Sequence, residues 1–308
     1  MNISDQANKW LSQFKIEITS SSNKVFGNRR QQLEATVSVS PRTNAIITDE
    51  QLASIALVTL DDDGVYRELN GALQASETRN TLFEYFGDTG SAPSNLEIRG
   101  AVRRKRFYIS SSRSGGSLDK IYARISMDAD NHYVTDIGAF KSSIIVESIT
   151  PLRYEIEDFE LSAEDTARTE RVDIDVYYLK FKNPRLRIVK STPHDVAYND
   201  TPHFQFCFDT YNYGYGVDNN IASYYTHYAF EVGRERDFTV AGTTVILNKR
   251  HGCMNFVRTI THTSFILVPP RNILKPSRWW IVDQYGNDRK IEITQAVEGN
   301  RIDFKRFD

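Results

Sequence analysis

Little in this sequence could staple a fold, anchor it in a membrane or coat it with charge of one sign. Two cysteines in 308 residues, Cys207 and Cys253, exclude a disulfide-built scaffold. They read as reduced thiols or small buried hydrophobes, with a bond between them left open. No apolar run approaches the length of a membrane-crossing helix, so no transmembrane segment is expected. Neither sign of charge dominates, since 38 Lys and Arg face 40 Asp and Glu for a net charge of -2. That balance excludes a broad basic surface, and no nucleic-acid partner is expected. The first ten residues carry no basic stretch followed by an apolar one. The expectation is a cytoplasmic protein, or one exported without a cleavable leader.

Catalytic grammar is also sparse. There is no Gly-x-Ser-x-Gly elbow, no Walker loop and no dinucleotide fingerprint. Five of the six histidines fall in the second half, at His194, His203, His227, His251 and His262. None forms the His-x-His or His-Glu-x-x-His spacing that places two imidazoles on one metal. Asp128-Ala129-Asp130-Asn131 opens like a calcium loop but lacks the central glycine and the closing glutamate. It reads as a polar hairpin turn ahead of Tyr133. We therefore expect no catalytic residues, no metal and no cofactor. A hydrolase is kept as an alternative, with His203, His227 and His251 as its residues. His194 beside Asp195, and His203 with Asp209, would be base and orienter.

What the chain does have is aromatics, with 16 Tyr and 17 Phe, and period-two alternation. Leu33, Ala35, Val37 and Val39 alternate with Glu34, Thr36 and Ser38. Ile121, Ala123, Ile125 and Met127 alternate with Tyr122, Arg124 and Ser126. Val172, Ile174, Val176 and Tyr178 alternate with Asp173 and Asp175. Successive strand side chains point to opposite faces, so each run predicts a strand with one apolar and one wet face. Turn residues separate the runs at Asp61-Asp62-Asp63-Gly64, Ser114-Gly115-Gly116 and residues 283–287. One strand is predicted over 237–247 and another over 255–268. Helical signal is confined to a segment over 2–14, a capping box at Thr48-Asp49-Glu50-Gln51 and a similar start at Ser162-Ala163-Glu164-Asp165. The acidic stretch from 155 to 170 reads as a solvated loop opening the second domain. The basic run Arg103-Arg104-Lys105-Arg106 reads as a solvated strand edge that discourages unwanted pairing.

Val25-Phe26-Gly27-Asn28-Arg29-Arg30, leading into the alternating run to Val39, resembles the opening of a bacterial immunoglobulin-like module of the invasin type. Phe107 to Ser111 and Leu118 to Met127 match later strands of such a sandwich. The resemblance covers about the first half of the chain and implies a spacing or adhesion role, with no catalytic residues. The fold class expected for the whole is all-β: two antiparallel β-sandwich domains, the first immunoglobulin-like, with a few short helices. The domains are read as 1–150 and 151–308, because Pro151 cannot donate to a ladder.

The strongest binding candidate lies at 211–220. Tyr211, Asn212, Tyr213, Tyr215, Asp218, Asn219 and Asn220 combine large amphipathic rings with adaptable hydrogen-bonding groups. That is the composition of recognition loops, and it also suits sugar faces and hydroxyls. The expected function is a non-catalytic binding or structural protein. It would contact a glycan, a host surface or a partner subunit, in a phage-like, tail-like or secreted assembly. Homo-oligomerisation is one form such a partner could take. A β-rich pore-forming toxin is the other alternative, suggested by the hydroxyl-rich stretch 258–264, where Arg258 and His262 share one face.

Overall fold

The structure is a computed structural model that describes residues 3–87, 102–138, 140–195, 204–213, 221–264, 273–274, 277–296 and 301–307. Strands dominate it, and the fold is all-β of sandwich type. The chain divides into two compact units, Met1–Pro151 and Leu152–Asp308.

In the first unit the order is α1 (Ile3–Trp10), β1 (Leu11–Ile18), β2 (Lys24–Phe26), β3 (Leu33–Pro41), α2 (Asp49–Ala53), β4 (Ala56–Leu60), β5 (Tyr66–Glu68), β6 (Leu73–Ser76), β7 (Arg103–Ser111), β8 (Ser117–Ser126), β9 (His132–Val134) and β10 (Ile144–Ile149). One sheet runs β1-β3-β7-β6 and the other β2-β10-β8-β4-β5, with β9 on β8. All these pairs are antiparallel except β2 with β10, which is parallel. Between the sheets lie Phe14, Leu33, Ala35, Val37, Phe107 and Ile109 from one, and Val25, Leu57, Ile121, Ala123 and Val146 from the other. These are the apolar halves of the alternating runs, and their removal from water is the main driving force for the sandwich.

Helix α1 stops at Trp10, so the helical segment expected over 2–14 gives way to a strand from Leu11. The alternating Phe14 and Ile16 then suit β1 better than a helix face. Helix α2 has its capping box. The Thr48 hydroxyl accepts from the Gln51 amide, and the Gln51 side chain accepts from the Thr48 amide. Glycines 115 and 116 do not close a hairpin, because β7 and β8 belong to different sheets. Gly115 instead lets two backbones approach, since a Cβ there would sit 2.0 Å from Thr150 Oγ1. The wet face expected on β3 is also absent. Glu34, Thr36, Ser38 and Ser40 are all buried. Glu34 is satisfied where it lies, accepting from the Thr19 hydroxyl at 2.7 Å and the Tyr85 hydroxyl at 3.1 Å. Burial, then the Glu34 carboxylate, pushes the Tyr85 phenol well above its ordinary pKa.

Strand β7 lies between β3 and β6, with Arg103 to Arg106 paired to β3 and only Tyr108 to Ser111 paired to β6, and the basic run splits by alternation. Lys105 donates to the Ala53 and Ile55 carbonyls, and Arg103 to the Ile47 carbonyl and the Asp49 carboxylate. These two cations tie α2 onto the sheet, Lys105 at the carbonyls of its C-terminal end, which favour positive charge, and Arg103 at its start.

The second unit contains a 3₁₀ turn (Ile156–Asp158), β11 (Phe159–Arg168), β12 (Val172–Phe181), β13 (Ile188–Asp195), β14 (Phe204–Tyr213), β15 (Ile221–Phe230), β16 (Arg236–Val240), β17 (Thr243–Leu247), β18 (Met254–Ser264), β19 (Ile273–Leu274), β20 (Ser277–Asp283), β21 (Asp288–Ala296) and β22 (Arg301–Arg306). A sheet ordered β11-β12-β18-β15-β14-β19 packs on one ordered β13-β20-β21-β22. Trp279, Ile281, Ile291 and Ile293 of the smaller sheet meet Leu179, Phe181, Met254 and Phe256 of the larger. The other face of the larger sheet is covered by β16 and β17, whose Phe238, Val245 and Leu247 pack on Ile174, Val176, Phe230 and Val257. Sheet and hairpin together bury both faces of the central strands.

The single strand expected over 237–247 is thus a hairpin. Ala241 and Gly242 both have positive φ, +50° and +76°, which suits the two-residue turn that joins twisted antiparallel strands. The acidic stretch 155–170 is mostly β11 rather than a loop, and Ser162 to Asp165 are strand, not a helix start. The turn at 283–287 is a true hairpin between β20 and β21, with Gly286 at φ +81°. Buried Asp283 organises it, accepting from the amides of Tyr285 and Asn287 at 2.8 Å and from the Tyr154 hydroxyl. No helix among the described residues is long and apolar enough to cross a membrane.

Candidate functional site

Three of the expected binding residues fall at the end of strand β14. Strands β14 and β15 run antiparallel from Phe204↔Ala229 to Tyr213↔Ile221, with one bulge. At the root of β15, Ala229 and Phe230 are fully buried, one in each core of the unit. Tyr211, Asn212 and Tyr213 occupy the last three positions of β14, opposite Ser223, Ala222 and Ile221, and so belong to a strand rather than a loop. Tyr215, Asp218, Asn219 and Asn220 lie outside the described residues. The aromatic-rich segments 204–213 and 221–230 are therefore neighbouring strands of the six-stranded sheet, with β15 between β14 and β18 and β14 also pairing β19.

A second constellation was not legible in the sequence. Register places Asp165 on β11, Asp175 on β12, Arg258 on β18 and His227 on β15 side by side across four neighbouring strands. Directly opposite residues share a face, and this face looks toward the smaller sheet. Arg258 is 3% exposed and His227 0%. Arg258 Nη2 lies 2.8 Å from Asp173 Oδ2 and 2.5 Å from Asp175 Oδ2. Burial pushes the Asp175 carboxyl above its ordinary pKa. Arg258 opposes that shift, while Asp173 and Asp165 add to it. Arg258 is thus the buried member of an ion cluster whose carboxylates reach toward water, with Asp165 exposed.

Carboxylate oxygens of Asp165, Asp173 and Asp175 come within 4.8 Å of one another, close enough to share a cation. The Arg258 guanidinium already bridges two of them. The chemistry of the cluster is neutralisation of the buried Arg258 guanidinium, which would be costly without its carboxylate partners.

Among the described residues, the remaining candidates do not converge. His227 is in register with Arg258, whereas His262 lies opposite Ser223, four residues further along β18. His194 is exposed on β13 and His251 is exposed in the turn before β18. His203 lies outside the described residues, and with it one of the two pairings expected for a base. Cys253 is a free thiol that donates to the His251 carbonyl at 3.7 Å and not to its imidazole. Burial raises its pKa, which suppresses the thiolate a nucleophile requires. The Asp128 carboxylate accepts from the Asp130 and Asn131 amides and closes the turn between β8 and β9. No protein-family model matches the chain, and no curated protein does.

Proposed function

We propose that this chain is a non-catalytic binding protein that uses two β-sandwich units as stiff scaffolding and engages a glycan or a protein subunit through residues 211–220. The observation that carries the reading is the β14–β15 pair. Ten-residue strands in antiparallel pairing, with Ala229 and Phe230 buried at the start of the pairing, carry Tyr211, Asn212 and Tyr213 at the end of β14, which supports a contact through this stretch. A rigid stem lowers the ordering entropy that a binding segment loses on contact. Tyrosine brings large contact area with few torsions. The likeness of 25–39 to invasin-type modules supports a spacing or adhesive role in a larger assembly.

The test compares the intact chain with a Tyr211→Ala/Tyr213→Ala/Tyr215→Ala variant on an array of neutral glycans, and by light scattering. The expected result is an array signal or a defined oligomer in the parent that the variant loses with its circular dichroism unchanged. A parent that stays monomeric and binds no glycan, or a variant that behaves like the parent, refutes the reading.

A further inference from the structure

Away from the β14–β15 pair, the solvent-facing side of the smaller sheet of the second unit carries an aromatic cluster with cations fixed upon it. Trp280 on β20 lies opposite Thr192 on β13 and Lys290 on β21. The His194 ring is 6.0 Å from that of Trp280 and 5.5 Å from that of Phe307, which lies just beyond β22. The Lys290 ammonium stands 4.7 Å above the Trp280 ring and 5.4 Å from that of Phe307, and the Arg278 guanidinium stands 4.3 Å from Phe307. His194 is exposed, and Trp280, Lys290 and Phe307 are half-buried.

The cations differ in what neutralises them. Arg278 and Lys305 both bridge the buried Glu292 carboxylate at 2.9 Å. Lys290 reaches no carboxylate among the described residues and is held by ring faces alone. An ammonium over an aromatic face is oriented but not neutralised, and its remaining N–H donors point away from the ring. The face therefore presents an ammonium with no carboxylate bridge beside flat apolar area.

We propose that this face binds an acidic saccharide, a sugar whose ring packs on the Trp280–Phe307–His194 cluster and whose carboxylate or sulfate pairs with Lys290. A pyranose offers an apolar C–H face and an exocyclic oxyanion within one residue, which matches an aromatic surface beside a single unbridged cation. A nucleic-acid strand would need a row of unbridged cations along its phosphates, and two of the cations here already hold Glu292. The inference rests on the reading of the chain as a binding protein but not on its hairpin contact.

Calorimetric titration of the intact chain with four probes of similar length tests it: an oligogalacturonate, a heparin-derived hexasaccharide, neutral maltohexaose and a hexathymidylate. Binding of the galacturonate, the heparin fragment or both, with maltohexaose and hexathymidylate inert, is expected. Lys290→Gln should weaken that binding about tenfold, the scale of one charge-assisted contact. Lys290→Arg should retain it, and Lys15→Gln, at an exposed cation of the first unit, should leave it unchanged. The site is refuted if neither acidic saccharide binds, if maltohexaose binds equally well, or if Lys290→Gln has no effect. It is equally refuted if hexathymidylate binds with the same dependence on Lys290. Acidic-saccharide binding lost in Tyr213→Ala but kept in Lys290→Gln would move the ligand to the hairpin, overturning this site while sparing the reading above.

Discussion

Removing Arg258 is the most informative perturbation of the second unit. Arg258→Met keeps much of the length and apolar stem of the side chain and deletes the charge that bridges Asp173 and Asp175. Breaking a buried ion pair from one side costs about 3–5 kcal/mol, because the partner charge stays buried. The side chains of Asp173 and Asp175 keep 25% and 17% of their exposure, so water screens part of that penalty. A loss of about 2–4 kcal/mol is the resulting expectation. At a urea slope of about 2 kcal/mol per molar, the midpoint falls by about 1–2 M. In a Trp10→Phe background both remaining tryptophans, Trp279 and Trp280, lie in the second unit, so their fluorescence reports its unfolding alone.

The pH dependence carries a sign. Burial already raises the folded-state pKa of Asp175 above its unfolded value, and loss of Arg258 raises it further. A carboxyl raised in the folded state contributes stability at pH below its unfolded pKa, and that contribution is lost as pH rises through the folded pKa. The destabilisation by Arg258→Met should therefore shrink between pH 7 and pH 5. Adding Asp173→Asn and Asp175→Asn should recover most of it. A loss under about 1 kcal/mol, well below the cost of breaking a buried pair, would overturn this view of the cluster. So would one that is equal at both pH values or unrelieved by the two asparagines.

Asp283→Ala should lower unit-two stability by about 3 kcal/mol, because it strands the Tyr154 hydroxyl and two buried turn amides, whereas Tyr154→Phe should cost about 1 kcal/mol; both are read as urea midpoints. Gly27→Ala places a Cβ 2.2 Å from the Arg113 carbonyl oxygen and should lower the melting temperature of the first unit, while Gly64→Ala meets open space and should lower it less, by the backbone strain of φ +76° alone. Thr48→Ala removes the cap of α2 and should cost about 1 kcal/mol in a thermal melt.

Legibility followed locality. The alternation at 121–127 and 172–178 named strands correctly because side-chain direction in a strand is set by the residue's own position. The capping box at Thr48 and the Asp128 turn were readable for the same reason, as both close within four residues. The burial of both faces of β3 was not, because whether Thr36 and Ser38 meet water depends on neighbours distant in the chain. The 237–247 hairpin was hidden because Ala241 is no turn residue; its positive φ is imposed by the pairing of β16 with β17. The Arg258 cluster was furthest from reach. It joins β11, β12, β18 and β15, and only the strand order brings Asp173 to a guanidinium 85 residues away. At 211–220 composition marked the recognition chemistry, while the placement of Tyr211, Asn212 and Tyr213 on a strand needed the register.

The binding role of the β14–β15 pair requires the phenolic rings at its end to face outward and meet a partner. Tyrosine nitration of the native chain, resolved peptide by peptide with mass spectrometry, measures this directly. Tyr178, 1% exposed, and Tyr133, 2% exposed, serve as buried references within the same molecule. Tyr211, Tyr213 or Tyr215 should react well ahead of both references and be protected when a ligand is bound. If all three react as slowly as Tyr178, the pair does not present its tyrosines and the proposed function fails.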